Sequence, residues 1–262
     1  MSILEALILG VLQGIAEFIP ISSSGHLLLL QRIFGIEYNL FTFSVVVHVG
    51  TLIPVLVIYF NRVKSLIKNP FQKMTLLLIL GTLPTVVVTL LFGDFIDRLF
   101  TGDFLAVGFL ITAVFLFMID RGWGGRKKLR HISYIDAIVV GLVQAVAITP
   151  GISRSGSTIL GGISRGFDRK SAANFSFLLS IPAIVGATVL EIGNIITGDT
   201  ETYFLLSAPV IVGFFASMIA GYLAIKVMLR LIVSSKMKYF AYYLIVVSIL
   251  IFADRFFLNL VF

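Results

Sequence analysis

The chain has 262 residues, of which 58% are hydrophobic and 13% are charged, and its mean hydropathy is +1.07. Soluble domains are about 45–50% apolar and about 25% charged, so this composition excludes an ordinary soluble fold. The formal net charge is +7, and the absence of cysteine excludes disulfides and thiolate metal sites. We therefore expect an all-α polytopic membrane protein, and we do not expect a nucleic-acid-binding protein.

Six apolar runs are long enough to cross a bilayer as helices. These predicted spans are about 40–60, 74–93, 104–120, 171–193, 204–226 and 238–260. Two further apolar regions, about 1–35 and 135–165, are each interrupted by Pro, Gly and Ser. Apolar runs of about 10–14 residues fit re-entrant segments better than complete spans. The sequence therefore predicts six transmembrane helices plus two re-entrant helical hairpins.

The basic residues indicate how these segments are oriented. Most of the 20 Lys and Arg residues lie in four loops, at 61–73, 120–134, 161–171 and 226–238. The positive-inside rule places these four loops in the cytoplasm. The six predicted spans then alternate sides without conflict, the first hairpin begins and ends outside, and the second begins and ends inside.

The two halves of the chain are similar when one is shifted against the other by 131 residues. Residues 4–25 then align without a gap with residues 135–156, and Gln13/Gln144, Ser22/Ser153 and Gly25/Gly156 are among the identical pairs. Each half holds one hairpin and three spans, and an odd number of spans inverts the second half. We predict one membrane domain, 1–262, built as an inverted-topology repeat of halves at about 1–131 and 132–262. Such repeats place polar sites where the halves meet, so we expect the two hairpin tips to face each other.

The two hairpin tips carry the chemically active side chains. The first contains Gln13, Glu17, Pro20, Ser22, Ser23, Ser24, Gly25 and His26, and the second contains Pro150, Gly151, Ser153, Arg154, Ser155 and Thr158. Ionisable residues at membrane depth are costly and usually functional. Glycine and serine before a short helix offer N–H and hydroxyl donors to a phosphate, and Arg154 adds a planar, permanent charge. The pattern indicates phosphoryl transfer, in which positioning and charge neutralisation do most of the catalysis.

The residues alone leave several roles open. One hydroxyl of the triple serine could be a nucleophile, and His26 could be its base or the acid that protonates a leaving group. Alternatively, water attacks the phosphate directly. Glu17 could orient the histidine or hold a divalent metal, and Gln13 lies one turn before it on the same side of the helix.

Structural interpretations compete with these functional ones. Serine and glycine breaks in membrane helices often serve close packing, and Glu17 could cap backbone groups or simply pair with Arg154. We interpret His48, within the predicted span 40–60, as a buried hydrogen-bond donor. Ser44 and Asn174 lie near span ends and could line the site. The remaining charged residues near the loops are interpreted as interfacial anchors: Asp120, Asp136, Arg165, Asp168, Arg169 and Lys170.

The two tips resemble the signature motifs of the undecaprenyl-diphosphate phosphatase family, also called the bacitracin-resistance family. One family motif is a Glu/Gln-x-x-x-Glu pair followed by Pro-x-Ser-Ser-x-Gly-His, which corresponds here to Gln13, Glu17 and the run from Pro20 to His26. The other is Pro-Gly-x-Ser-Arg-Ser-x-x-Thr, which corresponds to Pro150 through Thr158. The order, spacing and separation of the motifs match, and the family's length and hydropathy fit the whole chain.

The resemblance implies hydrolysis of undecaprenyl diphosphate to the monophosphate and inorganic phosphate, which recycles the lipid carrier of cell-wall sugars. It also implies a divalent cation, Mg²⁺ or Ca²⁺, and a multi-pass protein of the plasma membrane whose site opens toward the outer face. By the same resemblance Ser23 is the nucleophile, His26 and Glu17 are the acid/base groups, and Glu17 with Gln13 forms the metal side. The implied diphosphate-binding residues are Arg154, Ser22, Ser24, Gly25, Ser153, Ser155 and Thr158.

The chain departs from the family pattern at two positions. Gln13 stands where many members have Glu, which removes one negative charge from the implied metal site, and Asn174 stands where some members have Glu.

The expected partners are a polyprenyl-diphosphate lipid and the bilayer, a homodimer is left open, and nucleic acid is not expected. The alternative is a transporter or flippase for a polyprenyl phosphate or another anionic lipid, because inverted repeats with broken helices are common in transporters. Such a transporter would release no phosphate.

Overall fold

The computed structural model describes residues 1–36, 40–121, 125–196, 207–234 and 236–262. Within them the helices are α1 (Ile3–Phe18), α2 (Ser23–Ile33), α3 (Leu40–Ile58), α4 (Phe60–Lys68), α5 (Lys73–Leu99), α6 (Leu105–Asp120), α7 (Tyr134–Val146), α8 (Arg154–Ser164), α9 (Arg169–Ile196), α10 (Ala208–Val233) and α11 (Lys238–Ala253). A 3₁₀ turn covers Leu129–His131, and a π-helical turn covers Asp254–Leu258. The described residues form no β-strand apart from one isolated bridge. The all-α prediction is confirmed.

Several of these helices are long and apolar enough to cross a bilayer. Four segments meet that requirement: Lys73–Ile96, Arg169–Leu190, Ala208–Val233 and Lys238–Leu258. A fifth candidate combines α3 with α4, which bend by 88° relative to each other. Helix α6 is equally apolar but has 16 residues, and the first residues of the predicted span 204–226 lie outside the described part of the chain. These four to five candidate spans support a multi-pass membrane protein.

The two helices of each predicted hairpin pack against each other. In the first, Met1 packs against the same apolar cluster as Leu30 and Phe34, which lie at the far end of α2. In the second, Asp136 at the start of α7 forms an ion pair with Arg165 just after α8, with Oδ1 and Nε 2.9 Å apart. These contacts are those expected of the two predicted hairpins.

The helix starts repeat at the 131-residue shift found in the sequence. Helices α1 and α7 each begin with a capping box, in which Ser2 and Ser133 exchange hydrogen bonds with the acidic residue three positions later. Helices α2 and α8 are each capped by a serine hydroxyl, of Ser22 and Ser153, that accepts a hydrogen bond from the backbone N–H three residues on. The sequence repeat is therefore also a repeat of local structure.

Glycines allow the hairpins to pack closely against the longer helices. A Cβ atom on Gly10 of α1 would lie 2.4 Å from the Gly213 carbonyl oxygen of α10. A Cβ atom on Gly141 of α7 would lie 2.4 Å from the Gly81 carbonyl oxygen of α5. Small residues at such positions let membrane helices approach backbone to backbone, where packing rather than the hydrophobic effect holds them together.

Three of the four basic loops lie together at one end of the molecule. Lys127 and Arg165 both contact the Asp136 carboxylate, at 2.8 and 2.9 Å. The backbone N–H of Met237 donates to Asp120 Oδ1 at 3.0 Å, which brings the loop after α10 to the same place. Loops 120–134, 161–171 and 226–238 therefore share one side, as the positive-inside argument requires.

Asp168 belongs to the same basic end. Its carboxylate lies 2.6 Å from Lys128 Nζ and accepts a hydrogen bond from the Ser171 backbone N–H at 2.6 Å. Partial burial alone would raise the pKa of Asp168, but the hydrogen bonds from Lys128 and Ser171 hold that pKa below its ordinary value. The acidic residues here connect basic loops to one another, and their predicted role as anchors at the membrane interface stays a prediction.

A second set of contacts forms the opposite end. Arg255 Nη2 lies 2.6 Å from Asp103 Oδ1, which connects the C-terminal turn to the loop between α5 and α6. The guanidinium of Arg32, near the end of α2, contacts the Thr101 carbonyl oxygen and lies 4.7 Å from the centre of the Phe262 ring. The end of α2 therefore lies with the loop before α6 and the C-terminal turn, on the side opposite the basic loops.

We expect Gly10→Ala to destabilise the protein by about 1–3 kcal/mol, because the added methyl group would overlap the backbone of α10. The matched control is Gly186→Ala in α9, where a Cβ atom would meet no described atom within 4 Å. That change should be neutral or stabilise by about 0.5–1 kcal/mol. Thermal unfolding of the purified variants in detergent measures both effects, and equal midpoints for the two variants would contradict this packing.

Candidate active site

The tips of the two hairpins are in direct contact. A Cβ atom on Gly25 would lie 2.8 Å from the Gly151 backbone nitrogen, and one on Gly156 would lie 3.3 Å from Pro20 Cβ. Thr112 of α6 holds the second tip, because its hydroxyl donates to the Gly151 carbonyl oxygen at 2.7 Å and accepts from the Ser153 N–H at 2.9 Å. Gly151 itself has φ +87°, a conformation that favours glycine.

The carboxylate of Glu17 connects the two tips. Its Oε1 forms an ion pair with Arg154 Nη2, and its Oε2 accepts hydrogen bonds from Ser23 Oγ at 2.8 Å and from Gln13 Nε2 at 3.0 Å. Glu17 is only 6% exposed. A carboxylate this deeply buried requires such partners, because an unpaired buried charge is strongly destabilising.

Arg154 is the cationic partner of this carboxylate. One further guanidinium nitrogen, Nη1, donates to the Ser176 carbonyl oxygen at 3.3 Å. A guanidinium has five N–H donors, so these contacts leave others available to an anion in the cavity. Under the 131-residue shift Arg154 corresponds to Ser23, and each is the first residue of the short helix behind its tip.

These groups form one wall of a cavity of about 460 Å³. Its polar lining includes Glu17, Ser22, Ser23, Ser24, Ser44, His48 and Arg154. Apolar side chains dominate elsewhere, among them Leu27, Leu28, Val45, Ile148, Ile152 and Ile184. The cavity therefore suits an amphiphile whose anionic group meets the polar wall.

The three serines of the first tip differ in their contacts. Ser22 caps α2 and adopts φ +69°, which is rare for a residue with a side chain and marks local strain. Ser23 donates its hydroxyl hydrogen to Glu17, whereas no described residue accepts from Ser24. Ser23 is therefore the serine that an adjacent carboxylate could activate.

Four predicted diphosphate-binding residues do not line the cavity. Ser153 Oγ accepts from the Gly156 N–H at 3.1 Å, and Ser155 Oγ lies 3.3 Å from it. Thr158 Oγ1 lies 2.6 Å from Ser176 Oγ, behind α8. Gly25 packs against Gly151. This geometry gives no support to their predicted contact with substrate, because the two serine hydroxyls are used at the start of α8, the Thr158 hydroxyl faces α9, and Gly25 lies between the two tips.

His26 is not placed beside Ser23 or Glu17. Its Nδ1 lies 2.9 Å from the Ser22 carbonyl oxygen, and its Nε2 lies 2.8 Å from the Tyr243 hydroxyl. The Ser22 carbonyl can only accept, so Nδ1 carries the hydrogen and the tyrosine donates to Nε2. His26 thereby connects the strained turn to α11, and the acid/base role predicted for it stays a prediction without a supporting contact.

His48 of α3, which the sequence analysis interpreted as a structural residue, reaches the site instead. Its Nε2 lies 3.4 Å from Glu17 Oε2, and its Nδ1 lies 2.7 Å from the Ser44 carbonyl oxygen. His48 also lines the cavity. A signal was present in the sequence, because Ser44, His48 and Thr51 form a polar stripe at helical spacing on an apolar helix.

The polar wall does not fit a resident divalent cation. Glu17 is the carboxylate that lines the cavity, and Arg154 already neutralises it. Gln13 Oε1 is a buried acceptor without a described partner, but it is neutral, and Asn174 Oδ1 accepts from the Tyr59 hydroxyl at 2.6 Å. The described residues contain no group of three or more acidic, His or Cys side chains that could hold a metal. Divalent cations such as Mg²⁺ and Ca²⁺ prefer several oxygen ligands with free negative charge, which these residues do not offer.

The contact between Glu17 and Arg154 can be measured as a coupling energy. We expect Glu17→Gln and Arg154→Met each to lower stability by about 3–5 kcal/mol, because each leaves its partner charge buried and unpaired. The double variant should lose less than the two single losses combined, by about 1–3 kcal/mol. Thermal unfolding in detergent measures all three variants.

The exposed pair Asp103 and Arg255 is the control, and its coupling should be near zero. Additive losses at Glu17 and Arg154 would show that the two residues do not form this pair.

Known proteins resemble this chain over nearly its whole length. The sequence model described as bacitracin resistance protein BacA matches residues 6–250. An undecaprenyl-diphosphatase of Carboxydothermus hydrogenoformans is 46% identical over 252 residues, which cover 96% of this chain and 97% of the relative. Undecaprenyl-diphosphatase 4 of Bacillus cereus is 44% identical over 257 residues, or 98% of each chain. An undecaprenyl-diphosphatase of Methanosphaera stadtmanae is 38% identical and covers 95% of this chain and 97% of its own.

The family match includes both hairpin tips and every residue of the polar wall, and the relatives align with the chain over nearly its whole length. The chain therefore belongs to the bacitracin resistance protein BacA family.

Proposed function

We propose that the protein is a membrane phosphatase that hydrolyses undecaprenyl diphosphate, or a closely similar polyprenyl diphosphate, to the monophosphate and inorganic phosphate. The observation that carries the proposal is the hydrogen bond from Ser23 to the Glu17 carboxylate, in a cavity that Arg154 also lines. A hydroxyl, an adjacent acceptor and a fixed cation are the parts that phosphoryl transfer requires. The relatives named undecaprenyl-diphosphatase support the same activity, which recycles a lipid carrier for cell-envelope synthesis.

The shape of the cavity supports an amphiphilic substrate. The diphosphate would lie against Ser22, Ser23, Ser24 and Arg154, and the prenyl chain would extend along the apolar walls. Gln31 and Phe100 line the cavity. The next residues in sequence, Arg32 and Thr101, contact each other at the end of the molecule opposite the basic loops. This position favours a site that opens toward the outer face.

The reaction proposed for these residues has two steps. Glu17 accepts the hydrogen of Ser23 as Ser23 Oγ forms a bond to the terminal phosphorus. The bond from that phosphorus to the bridging oxygen breaks, and the polyprenyl monophosphate leaves with the proton from Glu17. Water then attacks the phosphoserine, gives one proton to Glu17, and displaces Ser23 Oγ, which takes that proton back. Throughout, Arg154 stabilises the charge that develops on the phosphoryl oxygens.

We also propose the finer topology of six spans, α3, α5, α6, α9, α10 and α11, with α1–α2 and α7–α8 as re-entrant hairpins of an inverted repeat in the plasma membrane. Three observations support it: the two helices of each hairpin pack against each other, their helix caps recur at the 131-residue shift, and their tips touch. Irregular backbone at membrane depth is tolerated where protein buries it or a cavity wets it, as at these tips.

Ser23→Ala should lower phosphate release by about 10³-fold or more, because the hydroxyl that Glu17 holds is removed. Ser24→Ala should cost much less, and Ser234→Ala on the exposed loop after α10 should cost nothing. The measurement is phosphate release from a polyprenyl diphosphate by purified protein in detergent. Turnover of Ser23→Ala at the wild-type rate would exclude the serine nucleophile. No release by the wild type, together with movement of the lipid across sealed vesicles, would favour the transporter instead.

The two histidines should respond differently to replacement. His48→Ala should lower kcat by about 10²-fold with little change in the unfolding midpoint, because His48 contacts the carboxylate that receives the proton. His26→Ala should lower both kcat and the unfolding midpoint, because it releases the Ser22 turn from α11. Tyr243→Phe, which removes one hydrogen bond of His26, should show the smaller effect in the same direction. A fully active His48→Ala variant would remove this residue from the site.

A further inference from the structure

Helix α4 crosses the end of α3 instead of continuing it. The two helices differ in direction by 88°, and the break between them falls at Tyr59. Since α3 is a candidate span, a helix perpendicular to it lies nearly parallel to the plane of the bilayer. The Tyr59 hydroxyl donates to Asn174 on the second turn of α9, and Arg169 at the start of α9 donates to the Asp120 carbonyl oxygen at the basic end. This contact places the fourth basic loop, 61–73, with the other three.

The side chains of α4 divide between three faces. Val63 and Leu66 pack against the main apolar core of the protein. Phe60 and Ile67, seven positions apart on one side of the helix, are 60% and 76% exposed. The polar positions are all exposed: Asn61, Arg62, Lys64, Ser65 and Lys68. An exposed apolar face beside a basic one is the pattern of a helix that lies in the interface of a bilayer.

The turn after α4 enlarges the exposed apolar face. Gln72 Nε2 donates to the Ser65 carbonyl oxygen at 2.7 Å, which folds this turn back against the helix. The turn carries Phe71, which is 90% exposed. Large apolar side chains exposed together at one place require a neighbour that removes them from water, and the hydrocarbon of a membrane does so.

The charge of this segment indicates which lipids it contacts. Residues 60–73 include Arg62, Lys64, Lys68 and Lys73 and no acidic residue. Within the part of the chain that the structure describes, none of these four cations forms an ion pair. Lys64 faces the Phe60 ring, with Nζ 6.0 Å from the ring centre. The other basic loops differ, because Asp136 and Asp168 neutralise part of their charge. The segment therefore complements a negatively charged surface.

We propose that α4 and the turn after it, residues 60–73, bind anionic phospholipids of the cytoplasmic leaflet. The side chains of Phe60, Ile67 and Phe71 insert at the boundary between head groups and acyl chains. The basic side chains beside them hold the phosphate head groups. This surface lies at the end opposite the outward opening proposed for the cavity, so it binds the surrounding membrane and not the diphosphate substrate.

Single cysteines can report on this surface, because the natural chain has none. The full-length Ile67→Cys variant, labelled with a fluorophore, is reconstituted into phosphatidylcholine vesicles that contain either brominated phosphatidylglycerol or brominated phosphatidylcholine. Both lipids should quench the label, because bromine on the acyl chains quenches only what lies near them. Half of the emission should be lost at about one third of the mole fraction when the brominated lipid is phosphatidylglycerol. A label at Asn61→Cys, on the polar face, should be quenched weakly by either lipid.

Two controls separate lipid charge from lipid contact. Adding Lys64→Gln and Lys68→Gln to Ile67→Cys should leave the quenching by phosphatidylcholine unchanged and remove most of the preference for phosphatidylglycerol. Phe95→Cys, labelled in the same way, should show no such preference. Phe95 is 60% exposed near the opposite end of α5, and its neighbour Asp94 is acidic.

The outcomes decide the proposal without any measurement of turnover, so failure of the proposed reaction would leave them unaffected. Equal quenching of Ile67→Cys by the two brominated lipids would overturn the preference for anionic lipid. An Ile67→Cys label that neither lipid quenches would show that water or another protein chain covers α4. If the double lysine variant does not fold, the same preference should disappear for Ile67→Cys alone in about 1 M salt, where surface charges are screened. A preference that persists in that salt would exclude the basic side chains as its cause.

Discussion

The buried pair of Glu17 and Arg154 is the contact on which the rest of the site depends. Each residue belongs to a different half of the chain, and each would be strongly unfavourable at this depth without the other. Their contact therefore requires the two hairpin tips to meet. It also places the Ser23 hydroxyl and the His48 ring around one carboxylate, so a requirement of stability assembles the groups to which we assign the proposed phosphoryl transfer.

Much of this arrangement could be predicted from the sequence, because its signals are local or periodic. The apolar composition predicted the all-helical membrane fold, and the 131-residue shift predicted that the two segments carrying Glu17 and Arg154 would meet. Serine caps before short helices are likewise local signals, and both occur as hydrogen-bonded caps. The exact number of spans was harder to derive, because α6 is short and α3 bends sharply into α4.

The assignment of individual side chains required the tertiary structure. His26 is next to the triple serine in sequence, yet rotation about α2 turns its ring toward Tyr243. His48 is 31 positions from Glu17, and only the packing of α3 brings it to the carboxylate. The same limit applies to Ser153 and Ser155, whose hydroxyls have the right chemistry but face the interior of the hairpin. Which face of a short helix borders a cavity is decided by its neighbours, and composition does not reveal it.

Ser23 and Arg154 occupy the same register of the two halves, and this has a consequence for how a lipid can enter. A pocket with two identical halves would accept an amphiphile in either of two orientations related by half a turn. Here one half contributes a proton acceptor and a hydroxyl, and the other contributes a permanent cation. If the proposed reaction holds, only one of the two orientations sets the terminal phosphorus before the Ser23 hydroxyl, so the lipid has a single productive orientation in the pocket.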